Sequence, residues 1–492
     1  MGLATDSSGN IFVSGWFDGT NDFGGTTLTS YGGQDAFVAK YSSSGNLQWV
    51  RQAGGTGAGW DCARGVGADA AGNVYVTGGF LGTANFSGTS LTSRYNEDCF
   101  LAKYSSSGIL LWVRQGTNSD WWLPAYGTGI AVDSAGDSLV VGYFEAQTVS
   151  FGGITATNPG YASSSYAAFI VKYDSAGVPQ WARGLGGGET YSTTVGMDAA
   201  GNCYVAGNFA GTLLLGNTTL TSAGDKDGFL AKYNSAGVLQ WARQVAGIGK
   251  DDAGLGVDAA GNSWFAGLFT GSASIGPTNL TSPSGYGIFV ARYDTDGNLQ
   301  WVRQADSASF LGTGGGCGID ASGNCYIAGV YTGTVNFGGT AITNRGGWDI
   351  FAAKYDSAGN FQWVQTGGGP GNDVAWRAAV DTAGNCYIAG WFQGTALIGT
   401  NTLTAQGYWD TFVARIAQPA PAWVQFSKGS LSVSNGSFQM GLDGSPGMGV
   451  VVDTSSDLTT WTPWQTNTLS AGGLPLVMPM GTNRQFFRAR IP

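Results

Sequence analysis

Aromatic side chains in the long connecting segments of this chain are the residues best suited to molecular recognition. They are mostly Trp and Tyr, and acidic residues such as Asp61, Asp120 and Asp373 are interleaved with them. Aromatic faces with hydrogen-bonding edges suit stacking on sugar rings or gripping a protein surface. The alternative is that these segments fold back and bury their own aromatic side chains. The candidate ligand-binding residues are Trp60, Trp121, Trp122, Tyr126, Tyr191, Phe310, Trp348, Trp376, Tyr408 and Trp409.

Histidine is absent from the 492 residues, which excludes Ser-His-Asp and Cys-His catalysis and His-ligated zinc. The six cysteines never form a C-x-x-C spacing, so zinc ribbons and thioredoxin chemistry have no support. A glycosidase or lyase would depend on Tyr and on two carboxylates about 5 to 9 Å apart. Glu97, Glu145 and Glu189 are acidic residues that do not recur from repeat to repeat and could contribute, but none lies in a recognisable motif. We therefore assign no catalytic residue.

Two smaller features leave alternatives open. The segment from Asp294 through Asp296 to Asn298 has the alternating oxygens of a calcium loop, but the Glu that completes an EF-hand does not follow. No other metal or cofactor is expected. Cys62 and Cys99 are expected near the same face of one sheet, so the sequence leaves open whether they form a disulfide.

A repeat that runs through most of the chain must position these residues. The pattern Asp-x-x-Gly-Asn, followed by apolar alternation, recurs every 60 to 65 residues, with Asp137 in place of Asn in the third copy. A period of this size is typical of repeat architectures. We number the repeats 1 to 7 by their anchor residues, which are Asp6, Asp69, Asp133, Asp198, Asp258, Asp320 and Asp381.

Each repeat reads as four antiparallel strands joined by tight turns. The 84 glycines recur in those turns, where a positive φ is required, and the low charged fraction of 11% disfavours long surface helices. Four strands in each of seven repeats predict an all-β protein whose residues 1–425 form a seven-bladed β-propeller. In repeat 7, residues 423–425 would be either the fourth strand or a linker.

Residues that recur in every repeat are expected to be structural. The anchor aspartates cap their own turns, the strand tryptophans pack between blades, and the strand Lys and Arg pair with carboxylates or cover apolar surface. Three cysteines at one strand position are expected to be small buried residues. These strand residues include Trp49, Trp112, Trp181, Trp241, Trp301, Trp363, Lys40, Lys103, Lys172, Lys232, Arg292, Lys354, Arg51, Arg114, Arg183, Arg243, Arg303, Cys203, Cys325 and Cys386.

The repeat motif, D-x-x-G-N-x-Y-V-x-G followed by D-x-F-V-A-K-Y-x-x-x-G-x-x-Q-W, resembles the bacterial β-propeller repeats called SBBP. The resemblance covers residues 1 to about 425 and implies a propeller with a secreted or cell-surface habit, without a defined molecular function. Residues 426–492 read as a small β-sandwich-like module. Their segment from Val452 to Trp461, with the closing Phe486–Arg490, resembles C-terminal β modules of secreted proteins from Verrucomicrobia and related bacteria.

Charge and patterning limit the partners. The formal net charge of −10 argues against nucleic acid and anionic membranes, and no apolar run of 18 residues predicts a membrane span. The N-terminus lacks the pattern of a signal peptide and reads as the chain starting inside a repeat, as in a fragment. We expect a monomeric, non-enzymatic, secreted or cell-surface protein that binds or adheres to carbohydrate or protein. The alternatives are a polysaccharide-acting glycosidase or lyase using the propeller funnel, and a structural spacer.

Overall fold

The computed structural model describes the chain except residues 58, 95, 121–122, 161–165, 308–310, 417–423, 427–431, 435–436, 445–447, 457–458, 471–472, 480–485 and 491–492. For strand residues 192–193, 248–253, 283–284, 307, 311–315, 424–426, 432–434, 437–440 and 478–479 it describes the backbone alone. The described residues form antiparallel sheets and no helix. This confirms the all-β prediction. The chain divides into two compact units, Met1–Ala417 and Gln418–Pro492.

In the first unit, every repeat places its short strand at the start and pairs it with the alternating strand that follows the anchor turn. The first strands are Gly2–Thr5, Cys62–Ala68, Ala125–Val132, Thr190–Met197, Leu311–Ile319 and Asp373–Val380. The second strands are Ile11–Phe17, Val74–Phe80, Ser138–Phe144, Cys203–Phe209, Cys325–Tyr331 and Cys386–Phe392.

The third and fourth strands continue each sheet outward. The third strands are Asp35–Tyr41, Asp98–Tyr104, Ala167–Tyr173, Asp227–Tyr233, Asp349–Tyr355 and Asp410–Ile416. The fourth strands are Leu47–Gly54, Leu110–Asn118, Pro179–Gly187, Leu299–Ser307 and Phe361–Gly368. Around repeat 5 the strands run on without a break, as Leu239–Val257, Ser263–Ile275 and Thr278–Tyr293.

The sheets are wider than four strands, which corrects the predicted blade. The connection between second and third strands contains a hairpin that leaves its own repeat and pairs with the fourth strand of the preceding repeat, as Phe86 pairs with Ala53. The separate hairpins are Thr20–Asp22 with Thr27–Thr29, Thr83–Phe86 with Thr89–Thr92, Thr148–Phe151 with Ile154–Thr157, Thr212–Leu215 with Thr218–Thr221, Thr334–Phe337 with Thr340–Thr343, and Thr395–Ile398 with Asn401–Thr404.

The first strands contact one another in sequence order, and the first strand of repeat 1 contacts that of repeat 7. Two hydrogen bonds join these ends of the unit. Thr5 Oγ1 donates to the Val380 carbonyl oxygen at 3.0 Å, and Thr382 Oγ1 donates to the Ser7 carbonyl oxygen at 3.2 Å. The seven first strands therefore form a closed ring.

The anchor aspartates cap their turns, as predicted. In repeat 4, Asp198 Oδ1 accepts hydrogen bonds from the backbone N–H groups of Ala200 and Asn202, and Oδ2 accepts one from Asn202 Nδ2 at 2.8 Å. Tyr204 donates its hydroxyl to the same carboxylate at 3.2 Å and lies against the following repeat. The oxygens of the anchor carboxylates therefore accept hydrogen bonds within the turns of the fold.

The strand tryptophans and arginines clamp neighbouring repeats together. Trp181 Nε1 donates to the Ser235 carbonyl oxygen at 3.0 Å, and Arg183 Nε donates to the Gly237 carbonyl oxygen at 3.1 Å, both in the third-to-fourth-strand turn of the next repeat. The Arg183 guanidinium also lies 5.5 Å from the Trp181 ring centroid. The same contacts recur between other repeats, which confirms the packing role of these residues.

The third-strand cations are also structural. Lys103 Nζ lies 3.6 Å from Asp69 Oδ2 and 4.7 Å from the Tyr75 ring centroid, and it donates to the Ser175 carbonyl oxygen at 3.3 Å. Lys354 makes the corresponding ion pair with Asp320 at 3.9 Å. The prediction that third-strand cations pair with repeat carboxylates is confirmed for Lys103, Lys172 and Lys354.

Repeat 7 differs from the others at its outer side. In the described part of the chain its sheet has three strands, and Val424–Phe426 pairs with Ser437–Gly444 in the second unit. Of the two alternatives for residues 423–425, this pairing contradicts a fourth strand of repeat 7 at Val424 and Gln425, and Trp423 lies outside the described residues. The hairpin of repeat 1 correspondingly forms a separate two-stranded sheet.

The second unit contains two small antiparallel sheets. Its strands are Val424–Phe426, Ser432–Ser434, Ser437–Gly444, Gly449–Ser455, Thr462–Thr468, Leu474–Pro479 and Phe486–Arg490. Leu442, Val450, Val452, Leu469 and Leu476 form its buried core. Asp453 pairs with Arg488 and with Arg490, each at 2.9 Å, and these cations hold the pKa of its carboxyl below the usual value.

Candidate functional site

An aromatic cavity of about 890 Å³ lies where repeats 1, 2, 3, 4 and 7 meet. Four of the predicted residues line it, and they come from repeats 2, 4 and 7, because the loops that enter the first and third strands emerge together. These four are Trp60, Tyr191, Trp376 and Trp409. A cavity of this size can enclose several sugar rings or a peptide segment.

β-Bulges in the first strands explain how the backbone aims side chains into this cavity. The pairing register shifts between Ala63 and Gly65, between Gly127 and Gly129, and between Ala375 and Arg377. A bulge inserts one unpaired residue and redirects its side chain, often next to functional sites. The three inserted residues, Arg64, Thr128 and Trp376, all line the cavity.

Four lining aromatics were not among the predicted residues because they lie inside regular strands, and one of them, Phe37, belongs to the third strand of repeat 1. Trp16, Tyr143 and Trp391 follow the glycine of the second strand in repeats 1, 3 and 7. The remaining repeats carry Gly79, Asn208, Leu268 or Val330 at this position, while the flanking residues barely change. That isolated variation within a uniform strand was the signal that could have found these three.

The tryptophans present broad apolar faces to the solvent. Trp60 is 67% exposed, Trp409 is 54% exposed and Trp376 is 40% exposed. The Trp409 ring is held edge-on by the Trp391 ring at 4.5 Å and by the Tyr408 ring at 5.1 Å between centroids. Exposed rings fixed by other rings are preorganised stacking surfaces, because little side-chain entropy is lost on binding.

The tyrosines behave differently, since their rings pack against one another. Tyr143, Tyr166 and Tyr191 have ring centroids 5.1 to 5.8 Å apart, and Tyr126 lies 5.3 Å from Tyr143. Burial and Glu97 raise the pKa of the Tyr126 hydroxyl. A hydrogen bond to Glu145, then burial, raises the pKa of the Tyr166 hydroxyl. The alternative that the aromatic side chains bury one another therefore describes this cluster, whereas the tryptophans remain open.

The charged lining residues are Arg64, Arg377 and Asp410. Arg64 Nη1 donates to Tyr143 Oη at 3.4 Å, Nε donates to Cys62 Sγ at 3.5 Å, and the guanidinium lies 4.7 Å from the Tyr126 ring centroid. Arg377 Nη1 donates to the Trp376 carbonyl oxygen at 3.2 Å. Arg64 and Arg377 also line a smaller cavity of about 160 Å³ among the first strands. The cavity thus combines aromatic faces with fixed hydrogen-bond donors.

The other candidates lie elsewhere. Trp348 is exposed in repeat 6, Tyr408 is exposed beside Trp409, and Tyr126 packs under Arg64, and none of these three lines the cavity. Trp121, Trp122 and Phe310 lie outside the described residues.

The suspected calcium loop forms an ordinary turn. Asp294 Oδ1 accepts from the backbone N–H groups of Asp296 and Asn298, and Oδ2 accepts from Asn298 Nδ2 and Gln300 Nε2. These hydrogen bonds lower the pKa of Asp294. The same arrangement recurs at Asp356, and calcium binding stays a prediction.

All six cysteines are free and buried. Cys62 and Cys99 pair with Gly79 from opposite sides of the second strand. Two strand spacings put their Cα atoms roughly 9 to 10 Å apart, beyond disulfide reach. Cys203, Cys325 and Cys386 are buried at one strand position, as predicted, and burial raises the pKa of Cys203 and of Cys386 to about 12.

We therefore expect six thiols and no disulfide under non-reducing conditions. Iodoacetamide should label the cysteines slowly in the native protein, because burial suppresses both access and the thiolate form. After unfolding without reductant, mass spectrometry should count six labels per chain. A count of four would contradict the structure.

Comparisons with known proteins place the chain only distantly. No protein-family model matches it. An uncharacterized WD repeat-containing protein of Acanthamoeba polyphaga mimivirus is 23% identical over 80% of this chain and 35% of that protein. The regulatory protein FlaEY of Caulobacter vibrioides is 26% identical over 63% of this chain and 34% of that protein. This chain thus spans about a third of the length of these curated relatives.

Among solved structures, a glycoside hydrolase of family 32 from Bifidobacterium adolescentis aligns with 99% of this chain and 88% of its own at 11% identity. Its TM-score of 0.20 is too low to indicate a shared fold. Within the described part of the chain, no helix has the length and apolar character that crossing a bilayer requires.

Proposed function

We propose that the unit Met1–Ala417 is a seven-bladed β-propeller whose aromatic cavity binds carbohydrate without hydrolysing it. The observation that carries this proposal is the convergence of exposed Trp60, Trp376 and Trp409 on one cavity of about 890 Å³. Sugar rings carry an apolar face of C–H groups and a rim of hydroxyls. Fixed tryptophan faces with polar groups such as Gln34, also in the lining, match both.

The propeller assignment is supported by the seven anchored repeats and by the closed ring of first strands. The WD repeats in the name of the mimivirus relative point the same way, because WD40 repeats build propellers. The resemblance to SBBP repeats would account for the period, and a secreted or cell-surface location is proposed with it. The second unit is proposed as the accompanying C-terminal β module.

Binding is favoured over hydrolysis by the charges at the cavity. Asp410 is the single carboxylate among the described lining residues, whereas glycosidases use a pair of carboxyl groups. Glu189 is paired with Lys226 at 3.5 Å, and Glu145 hydrogen-bonds Tyr166 away from the lining. A binding or adhesion scaffold therefore accounts for the described site better than an enzyme does.

The proposal predicts that Trp376→Ala removes glycan binding. We expect the folded chain to bind a glycan array or a polysaccharide panel, and the variant to lose about tenfold or more in affinity, because a stacking face is deleted. Trp348→Ala is the matched control, since Trp348 is 39% exposed and Trp376 is 40% exposed, but Trp348 does not line the cavity. Equal affinities for both variants and the parent, or no glycan binding by the folded parent, would contradict the proposal.

A further inference from the structure

Arg64 is a partly buried cation whose charge is not matched by a carboxylate of the described fold. The chain carries a formal net charge of −10. Lys103, Lys172 and Lys354 lie within 4.0 Å of a carboxylate of their own repeat, and the fourth-strand arginines donate to backbone carbonyl oxygens of the next repeat. Among the described residues, however, no carboxylate oxygen lies within 4.0 Å of the Arg64 guanidinium. A partly buried charge without a counter-ion is costly, so this one is poised for an external anion.

The guanidinium is held in one orientation by three neighbours. Cys62 Sγ accepts from Nε, Tyr143 Oη accepts from Nη1, and the Tyr126 ring packs at 4.7 Å. These contacts leave N–H groups of the guanidinium unmatched within the described structure, and a guanidinium offers five donors in a planar fork. Such a fork matches a carboxylate and forms two parallel charge-assisted hydrogen bonds.

The bulge at Arg64 directs this fork into the aromatic cavity, and Arg377 adds a second guanidinium to the same lining. We propose that the cavity recognises an acidic sugar, whose carboxylate is bound by Arg64 and whose ring stacks on Trp60 or Trp376. This inference rests on the carbohydrate binding proposed above and specifies its ligand class. Asp410, on the side of Trp409, is left to accept hydrogen bonds from hydroxyl groups.

Charge can be separated from ring shape by using a hexamer of galacturonic acid and its fully methyl-esterified form. Both have the same rings, but only the acid carries carboxylates. Isothermal titration calorimetry of the full chain should show the acid binding about tenfold or more tightly than the ester, with affinity falling as salt is raised.

The decisive variant is Arg64→Gln. We expect it to lower the affinity for the acid by about tenfold or more and to leave the affinity for the ester within about twofold. Arg64→Lys keeps the positive charge but lacks the planar fork of donors. Its affinity for the acid should lie between that of the parent and that of Arg64→Gln. Lys40→Gln, whose lysine does not line the cavity, is the control for removing one positive charge. Circular dichroism and melting of each variant establish that it is folded, and if Arg64→Gln does not fold, Arg64→Lys and the ester carry the comparison.

The outcomes separate the two proposals. If acid and ester bind equally and depend on Trp376 but not on Arg64, the acidic ligand is overturned and carbohydrate binding stands. If neither hexamer nor any other glycan binds to the folded chain, both proposals are overturned. If a hexamer of glutamate binds through Arg64 while the sugars do not, the partner is an acidic peptide, and the sugar assignment is overturned.

Discussion

Replacing Gly237 by alanine is expected to destabilise the protein far more than replacing Gly211 in the same repeat. Both glycines have a positive φ, +75° and +71°, so both substitutions incur the left-handed backbone cost of about 1 to 2 kcal/mol. Only Gly237 is also packed. A Cβ built there lies 2.6 Å from Cδ2 of Trp181, whereas one built at Gly211 meets nothing within 4 Å.

The extra cost at Gly237 arises because the clamp between repeats needs the ring in place. Trp181 is only 7% exposed and its Nε1 donates to Ser235 of the same turn, so the ring cannot retreat without losing a hydrogen bond and buried area. Overpacking of this kind costs about 1 to 3 kcal/mol. Guanidinium unfolding followed by tryptophan fluorescence measures the two losses.

A double-mutant cycle tests the cause. In a Trp181→Ala background, the loss caused by Gly237→Ala should shrink to that of Gly211→Ala, because the clashing ring is gone. Equal losses at the two glycines in the parent protein would show that the turn does not depend on the stacked ring. The same glycine–tryptophan contact recurs at Gly297 with Trp241 and at Gly359 with Trp301, so the result should transfer.

The second large effect concerns a buried carboxyl group. Asp349 is 1% exposed, and its Oδ2 accepts from the Arg345 backbone N–H at 2.7 Å, but its Oδ1 has no hydrogen-bond partner. Burial, and then the charge of Asp373, raise its pKa to about 6, against the partial opposition of Arg345. The protonated acid is therefore the form that the fold prefers.

The sign of the pH dependence follows from this shift. The unfolded chain releases the proton near the ordinary pKa of about 3.9, and the folded chain releases it near 6. The stabilising contribution of this group is complete below pH 4 and is lost as the pH rises through 6. Asp61, whose pKa is raised to about 6 mainly by burial, acts in the same direction.

Asp349→Asn should therefore be more stable than the parent at pH 8, since the neutral amide removes a buried charge and can donate toward Asp373. The advantage should shrink as the pH falls to 5 and vanish below pH 4, where the carboxyl is protonated in both the folded and the unfolded parent chain. Chemical unfolding midpoints at both pH values measure it. Asp356→Asn, in an exposed turn where hydrogen bonds lower the carboxyl pKa, is the control and should be destabilised at both. An Asp349→Asn advantage that does not change with pH would contradict the assignment.

The repeat and half of the aromatic residues that line the cavity could be predicted from the sequence. The other lining residues could not, for physical reasons. Trp60 and Trp376 could be predicted because loop aromatics break a repeated pattern. Trp16 and Trp391 could not be predicted, because each lies in a strand beside residues that barely change between repeats. Such a residue is expected to pack in the core unless it is known that these ends of the sheets meet around a cavity. Arg64 was hidden because a β-bulge changes the direction of a side chain without leaving a mark in a short strand.

The sequence also contains the turn signals of the hairpins, although the hairpins were not predicted. Segments such as Phe337-Gly338-Gly339-Thr340 have the two-residue turn that favours tight hairpins. Their partner strand, however, belongs to the preceding repeat, and local propensity does not reveal a pairing across a repeat boundary. The predicted four-stranded blade was too narrow for this reason.

The three-stranded sheet of repeat 7 has a consequence for how the first unit opens. Val413 in its third strand is 37% exposed, whereas the equivalent Leu101 of repeat 2, covered by a fourth strand, is 2% exposed. In the described chain, the junction between repeats 7 and 1 thus lacks the hairpin pairing found at the other junctions. We therefore expect local unfolding to begin at this junction while the remaining repeats stay folded. In hydrogen exchange, the earliest amide protons to exchange should be those of Asp410–Ile416 and of the hairpin Thr20–Asp22 with Thr27–Thr29.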